Sequence, residues 1–290
     1  MATVITVMNM KGGVGKTTVA MHLGGMFARY KMGWDKKRVL LIDYDPQFNL
    51  SQAFLPAKTY FALEEAGKTC LSILQEDETN LDPYVLQVPG NITPPSVTTL
   101  AVPLGGKHYT CDLVPSTLDL MYVALGQPDA RTKPIEERFD KFIAECRSRY
   151  DIIFIDCHPA GSILTKTSLR NSDHVVIPVM PQSYAVRGIG LMLEFIEAAH
   201  PGPKSARPHI LFNMTHRKYV SPEEVAISSN PKFREYCMAK TLKRYKVFAE
   251  PYEGLGFVWT SGKPWSTQAF RNLLEVCTEL GERICKDKKP

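Results

Sequence analysis

Two lysines, three glycines and two threonines fall within eight residues, Lys11-Gly12-Gly13-Val14-Gly15-Lys16-Thr17-Thr18. Glycines let backbone N–H groups turn inward on an anion, and a helix starting behind such a turn adds positive potential. The chemistry that suits this spacing is the binding of nucleotide phosphates. Lys16 would reach the β- and γ-phosphates, and Thr17 would offer its hydroxyl to a magnesium ion bridging them. The general pattern is G-x-x-x-x-G-K-[ST]. Its first glycine falls on Met10, so the strict pattern fails, and an additional lysine, Lys11, stands in the loop.

Acids supply the second half of such chemistry. Asp43 and Asp45 end the apolar run Arg38–Tyr44 and its continuation, and Asp156 ends Asp151–Asp156. Phosphoryl transfer to water asks for charge neutralisation and a positioned water, with little covalent work by the protein. Lys16, Thr17 and the loop amides would neutralise charge. Asp43 and Asp156 would sit near magnesium, through its water shell.

These residues need strand ends and helix starts to hold them. Val4–Met8 reads as a short buried strand, followed by the loop and a helix from Lys16 to about Tyr30. Arg38–Tyr44 and Asp151–Asp156 are continuous apolar runs, as parallel strands covered on both faces require. Cys111–Val114, His174–Met180 and His209–Asn213 are further strands. Residues 51–85, Leu118–Leu125, Ile135–Arg149, Ala185–Ala199 and Gln268–Lys286 read as helices, and 221–246 as one or two polar helices. Residues 86–108, rich in Pro, Thr and Gly, read as a loop or hairpin insertion. Alternation from end to end predicts one α/β domain over 1–290, a doubly wound, mainly parallel sheet flanked by helices.

The bulk numbers fit. Hydrophobic residues make 44% and charged residues 22% of the 290, with seven cysteines and no C-x-x-C pair. Reduced thiols and no cysteine-held metal or iron–sulfur site are expected. No stretch approaches the roughly 18 apolar residues that span a bilayer, and the N-terminus lacks the basic leader of a signal peptide. The net charge of +5 is uneven. Residues 1–150 balance, while 213–246 hold eight Lys or Arg against three Glu. That basic segment could hold nucleic acid or an acidic membrane surface, or be a solvated helical face; charge alone does not separate them.

The loop with its second lysine resembles the deviant Walker A loop of the ParA/MinD family of ATPases. Leu41-Ile-Asp-Tyr-Asp-Pro-Gln-Phe-Asn49 resembles the family's D-x-D-P-Q-x-N motif, Ile152–Asp156 its Walker B strand, and Asp112–Ser116 its I-P-S strand. Ile177–Ala185, containing Pro181, resembles the stretch that lines the nucleotide, and Leu211–Met214 resembles the segment with a base-contacting residue, at Asn213 or Met214. The chain departs where the family has T-P-P, with Cys157-His158-Pro159, and lacks an I-P-R-N run in 247–260. His158 reads as a switch-loop residue with a backbone partner.

The resemblance is closest to ParA-type partition ATPases. It implies ATP and Mg²⁺ as ligands and Asp45 as the acid that orients the attacking water. It implies that Lys11 reaches across a nucleotide-sandwich homodimer to the partner's phosphates. It also implies slow, partner-stimulated hydrolysis, with a ParB-like or cargo adaptor as the partner. The ATP state would bind nonspecific double-stranded DNA through Arg217, Lys218, Lys243 and Arg244, in a cytoplasmic, nucleoid-associated protein of bacterial, plasmid or phage origin. The rival readings are a MinD-like membrane-cycling ATPase, with 268–286 as the membrane helix, and a metabolic or redox ATPase of the same superfamily.

Overall fold

The computed structural model describes residues 2–30, 37–76, 81–82, 85–105, 109–125, 132–158, 161–200, 205–248 and 256–287. Four strands form the middle of the sheet: β1 (Thr3–Val7), β2 (Val39–Tyr44), β5 (Ile152–Cys157) and β6 (His174–Val179). Every residue in them is buried, which is why their sequences run apolar without alternation. With β3 (Val102–Pro103), β4 (Cys111–Val114), β7 (Arg207–Thr215) and β8 (Leu242–Lys243) they make one eight-stranded sheet. Among the described residues its order is β3-β4-β2-β5-β1-β6-β7-β8. All pairs are parallel except the edge pair β3–β4.

Helices cover both faces, and each face has its own core. On one side lie α1 (Lys16–Arg29), α2 (Asn49–Phe54), α3 (Ala57–Glu65) and α11 (Ser266–Asp287). On the other lie α4 (Cys70–Leu74), α5 (Val97–Leu100), α6 (Leu120–Ala124), α7 (Lys133–Arg149), α8 (Ile163–Arg170) and α9 (Ala185–Ala199). Each fully buried aliphatic side chain here contributes about 1.5–3 kcal/mol. α1 lies close to its neighbours at Gly24 and Gly25, which carry no side chain. A Cβ on Gly25 would come 2.1 Å from the Phe257 ring.

The apolar face of α11 (Ala269, Leu273, Val276, Cys277, Leu280 and Ile284) is fully buried in the α1-side core. That face is therefore occupied by the protein, which goes against a membrane helix at 268–286. No helix among the described residues is long and apolar enough to cross a membrane.

Two expectations change and a third is filled in. Of residues 51–85, read as helical, 51–74 hold three short helices, and none of the segment's described residues past Leu74 is helical. Pro56 ends α2, because the residue before proline is pushed to extended backbone, and Gly67 (φ 63°) turns the chain after α3. The basic segment 213–246 is mostly not helical. Only α10 (Pro222–Ser228) is, opened by a Ser221–Glu224 capping box, and the rest is the end of β7, turns, β8 and the start of a 3₁₀ turn at Lys246–Phe248. The 86–108 segment, read as a loop or hairpin, supplies β3, which pairs antiparallel with β4, and also the short α5; Arg138 of α7 donates to the carbonyls of Asn91 and Thr93 within it.

Candidate functional site

Parallel register gathers the predicted acids. Val7 pairs with Asp156 and Asp43 pairs with Asp156, so the loop after β1 and both acids leave the sheet at one carboxyl edge. The loop 9–15 follows β1 there, and Gly15 caps α1 in the left-handed region, φ 83°. A side chain at this position would be strained, and its Cβ would meet Asn213 Nδ2 at 2.5 Å. Gly13 is also left-handed, φ 73°, and Gly12 and Gly13 face open space. Lys16 is 8% exposed at the first position of α1. Thr17 and Thr18 follow at the amide-rich end of that helix.

Two asparagines brace this loop. Asn9 Nδ2 donates to Pro178 O (2.7 Å), and its Oδ1 accepts Lys11 N–H (3.0 Å). Asn213 Nδ2 donates to Val14 O (2.7 Å), and its Oδ1 accepts Met214 N–H (2.8 Å). Of the two residues named for the base, Asn213 also uses its amide to hold the loop. Asn9 was not singled out; the available signal was a polar residue between an apolar strand and a glycine loop. Lys11 lies on the exposed side, its Nζ hydrogen-bonded to Gln182 Oε1. Exposed Tyr184 stands two residues beyond Gln182.

The three acids differ in surroundings. Asp43 Oδ2 accepts from Ser51 N–H (2.7 Å) and Ser51 Oγ (2.6 Å). Asp43 Oδ1 and both Asp156 oxygens are buried with no hydrogen-bond partner. Burial pushes both carboxyls up, Asp156 to about 7; the Asp156 charge adds to this at Asp43 and the Asp45 charge at both, against the opposing pull of Ser51 on Asp43 and of Thr17 and Lys16 on Asp156. Orphaned carboxylate oxygens beside a threonine hydroxyl suit a divalent cation. Among the described residues no cluster of three or more metal-ligating side chains exists. The set fits a magnesium ion, and Thr17, Asp43 and Asp156 are the residues that would hold it, directly or through water.

Asp45 differs from both. Burial favours its neutral form. Hydrogen bonds from His158 (Nδ1 to Oδ1, 3.1 Å) and Gln47 N–H (3.0 Å), with the Lys16 charge, outweigh that and hold the carboxyl below its ordinary value. Its backbone carbonyl accepts from Ser116 Oγ (2.8 Å), while Ser116 N–H donates to Ser51 Oγ (2.9 Å). Ser116 thus ties Asp45 to the serine that holds Asp43. His158 has a backbone partner, its N–H to Tyr44 O (3.3 Å), but its ring takes a side-chain partner, which the sequence did not reveal.

Beside Thr18, a cavity of about 800 Å³ is lined by Asn213, Met214, Tyr245, Phe248 and Trp265. Met214 (φ 56°) and Trp265 (φ 68°) are left-handed without being glycine, a strain of about 1 kcal/mol or more each that clusters at binding sites. Pro181 does not line this cavity; it sits on the loop with Gln182. Arg217, Lys243 and Arg244, expected on a separate DNA face, line the same cavity. The Arg217 guanidinium lies 5.2 Å over the Trp265 ring and 5.5 Å over Tyr245. Lys218 instead lines an adjoining cleft of about 470 Å³, shared with Arg217, Lys240 and Lys243.

Residues 2–206 match the model of the family described as AAA domain. The chain is 31% identical to the chromosome-partitioning ATPase Soj of Treponema pallidum, over 71% of this chain and 68% of that protein. Its fold is similar to that of a putative plasmid partition protein from Borrelia burgdorferi bound to AMPPNP (19% identity, 95% of this chain and 98% of that one, TM-score 0.68). It is similar also to pNOB8 ParA bound to nonspecific DNA (21% identity, 99% of this chain and 100% of that one, TM-score 0.63). The chain belongs to the ParA/Soj family of P-loop ATPases.

Proposed function

We propose that this ParA-family chain works as a single ATPase domain that dimerises on ATP, holds nonspecific double-stranded DNA in that state, and lets go when an adaptor protein speeds hydrolysis. The observation that carries the reading is the placement of two lysines on one braced loop. Lys16 is turned in beside Asp45 and Asp156, while Lys11 is turned out onto an exposed side. One active site needs the first. The second is available to another copy's phosphates.

In this reading Lys16 and the loop amides hold the triphosphate, and Asp45 orients water for in-line attack. Magnesium, held by Thr17 with Asp43 and Asp156 behind it, supplies charge neutralisation when bound. Met214, Tyr245, Phe248 and Trp265 supply the apolar cavity for the base. The γ-phosphate is the differential contact that separates ATP and ADP states. The DNA reading draws on the basic residues 217, 218, 243 and 244 and on pNOB8 ParA, whose structure was solved on nonspecific DNA. Nucleoid association and plasmid or chromosome cargo follow from it.

The decisive experiment is gel filtration and DNA co-sedimentation of the Asp45→Ala protein, with ATP and then with ADP. Dimers that carry DNA only with ATP are expected. A monomer in both nucleotides ends the sandwich reading, and ATP dimers that sediment without DNA end the DNA reading.

A further inference from the structure

The pairing of β2 with β5 does more than align the acids. Tyr44 lies opposite Cys157, and the ladder runs one step further, because His158 N–H donates to Tyr44 O (3.3 Å). Residue 158 is therefore delivered beside residue 45 by register. The His158 and Asp45 side chains are only 16% and 10% exposed, and Nδ1 lies 3.1 Å from Asp45 Oδ1. Gln47 N–H reaches the same oxygen at 3.0 Å.

Two donors on one carboxylate oxygen have a geometric effect. The terminal torsion of an aspartate is broad and roughly two-fold, so an unrestrained carboxylate samples many orientations. Fastening Oδ1 at two points selects one and leaves Oδ2, which has no hydrogen-bond partner among the described residues.

We propose that His158 is a positioning residue for hydrolysis: Nδ1–H holds Asp45 by Oδ1 so that Oδ2 faces the attacking water. This rests on the proposed ATPase reading, with Asp45 as the water-orienting acid. The water oxygen bonds to the γ-phosphorus as the bond to the β–γ bridging oxygen breaks, and the water's proton leaves with the released phosphate. His158 neither gives nor takes a proton in that step. Its contribution is orientation, of the kind where misplacement by about 1 Å costs about 100-fold in rate.

The test is single-turnover phosphate release with magnesium and ATP, alongside fluorescent-ATP titration and thermal melting. His158→Ala is expected to slow release about 10-fold or more, with nucleotide affinity within about two-fold of wild type. His158→Asn places an amide N–H where Nδ1 was and restores much of the rate. His158→Gln, with its donor one bond further out, does not. A wild-type protein that binds ATP but releases no phosphate brings down the ATPase reading itself. If the wild type is active, three results overturn the positioning role alone: an unchanged His158→Ala rate, equal rates for Asn and Gln variants, or a rate loss that follows weakened nucleotide binding.

Discussion

The β2–β5 edge and the flank running from β7 to α11 place charged residues by different means. At the edge, Asp43, Asp45, Asp156 and His158 hold position through strand register, and their loops are tied by Ser51 and Ser116. On the flank, Arg217, Lys243, Arg244 and Trp265 come together from turns, a two-residue strand and a left-handed tryptophan. Sheet register fixes a side chain to a fraction of an ångström because every neighbour is buried. Turns fix it through a few local bonds. Chemistry that needs an oriented water suits the first region, and contact with a long polyanion tolerates the second.

Substitutions can break this contrast. The largest effect is expected from Lys16→Ala, which removes the buried cation beside the acids; ATP turnover should fall about 100-fold or more in a phosphate-release assay. Asp45→Ala should slow turnover by a similar order while ATP binding persists, and ATP-dependent dimers should accumulate on gel filtration. Lys11→Ala should bind ATP yet stay monomeric; normal dimerisation would show that the outward lysine serves only its own subunit.

The flank should respond in graded fashion. Lys218→Glu lies outside the cavity beside Thr18, so it should weaken DNA binding and lower the salt slope by about 1 without altering ATP affinity. Reversal of Arg217, Lys243 or Arg244 should weaken ATP as well as DNA, read by titration of each separately. If ATP affinity is unchanged in all three, the cavity is not the base site.

The smallest effect tests the packing between the regions. His22 is buried in α1, with Nε2 accepting Val258 N–H, and burial lowers its pKa to about 4 despite a bond from the ring to Thr18 O. Its folded value is below the unfolded 6.5, so stability is fully present above pH 6.5 and is lost as pH falls toward 4. The total is about 3 kcal/mol. Urea midpoints of wild type and His22→Gln should converge across that window.

Legibility followed the same division. The loop at 11–18, the strand order of chemistry and the acids at 43, 45 and 156 could be read because apolar runs and glycine spacing report directly on buried parallel strands. The Asp45–His158 bond could not, since it depends on register between strands more than a hundred residues apart. The basic segment was misread as helical because its lysines and arginines carry no strong period; Pro222 opens the one short helix and Pro231 follows soon after its end. The convergence of Arg217 with Trp265 depends on two backbone torsions that no spacing rule anticipates.

The two asparagines that brace the glycine loop carry a last consequence. Asn9 ties it to β6 and Asn213 ties it to β7, which favours one loop shape. In the proposed ATPase reading a diphosphate and a triphosphate would then meet the same braced seat. The signal distinguishing them would fall to the segments carrying Asp45, His158 and Gln182, which border the seat without being part of it. A variant such as Asn213→Ala, which loosens the seat, would blur the message before it weakens the grip.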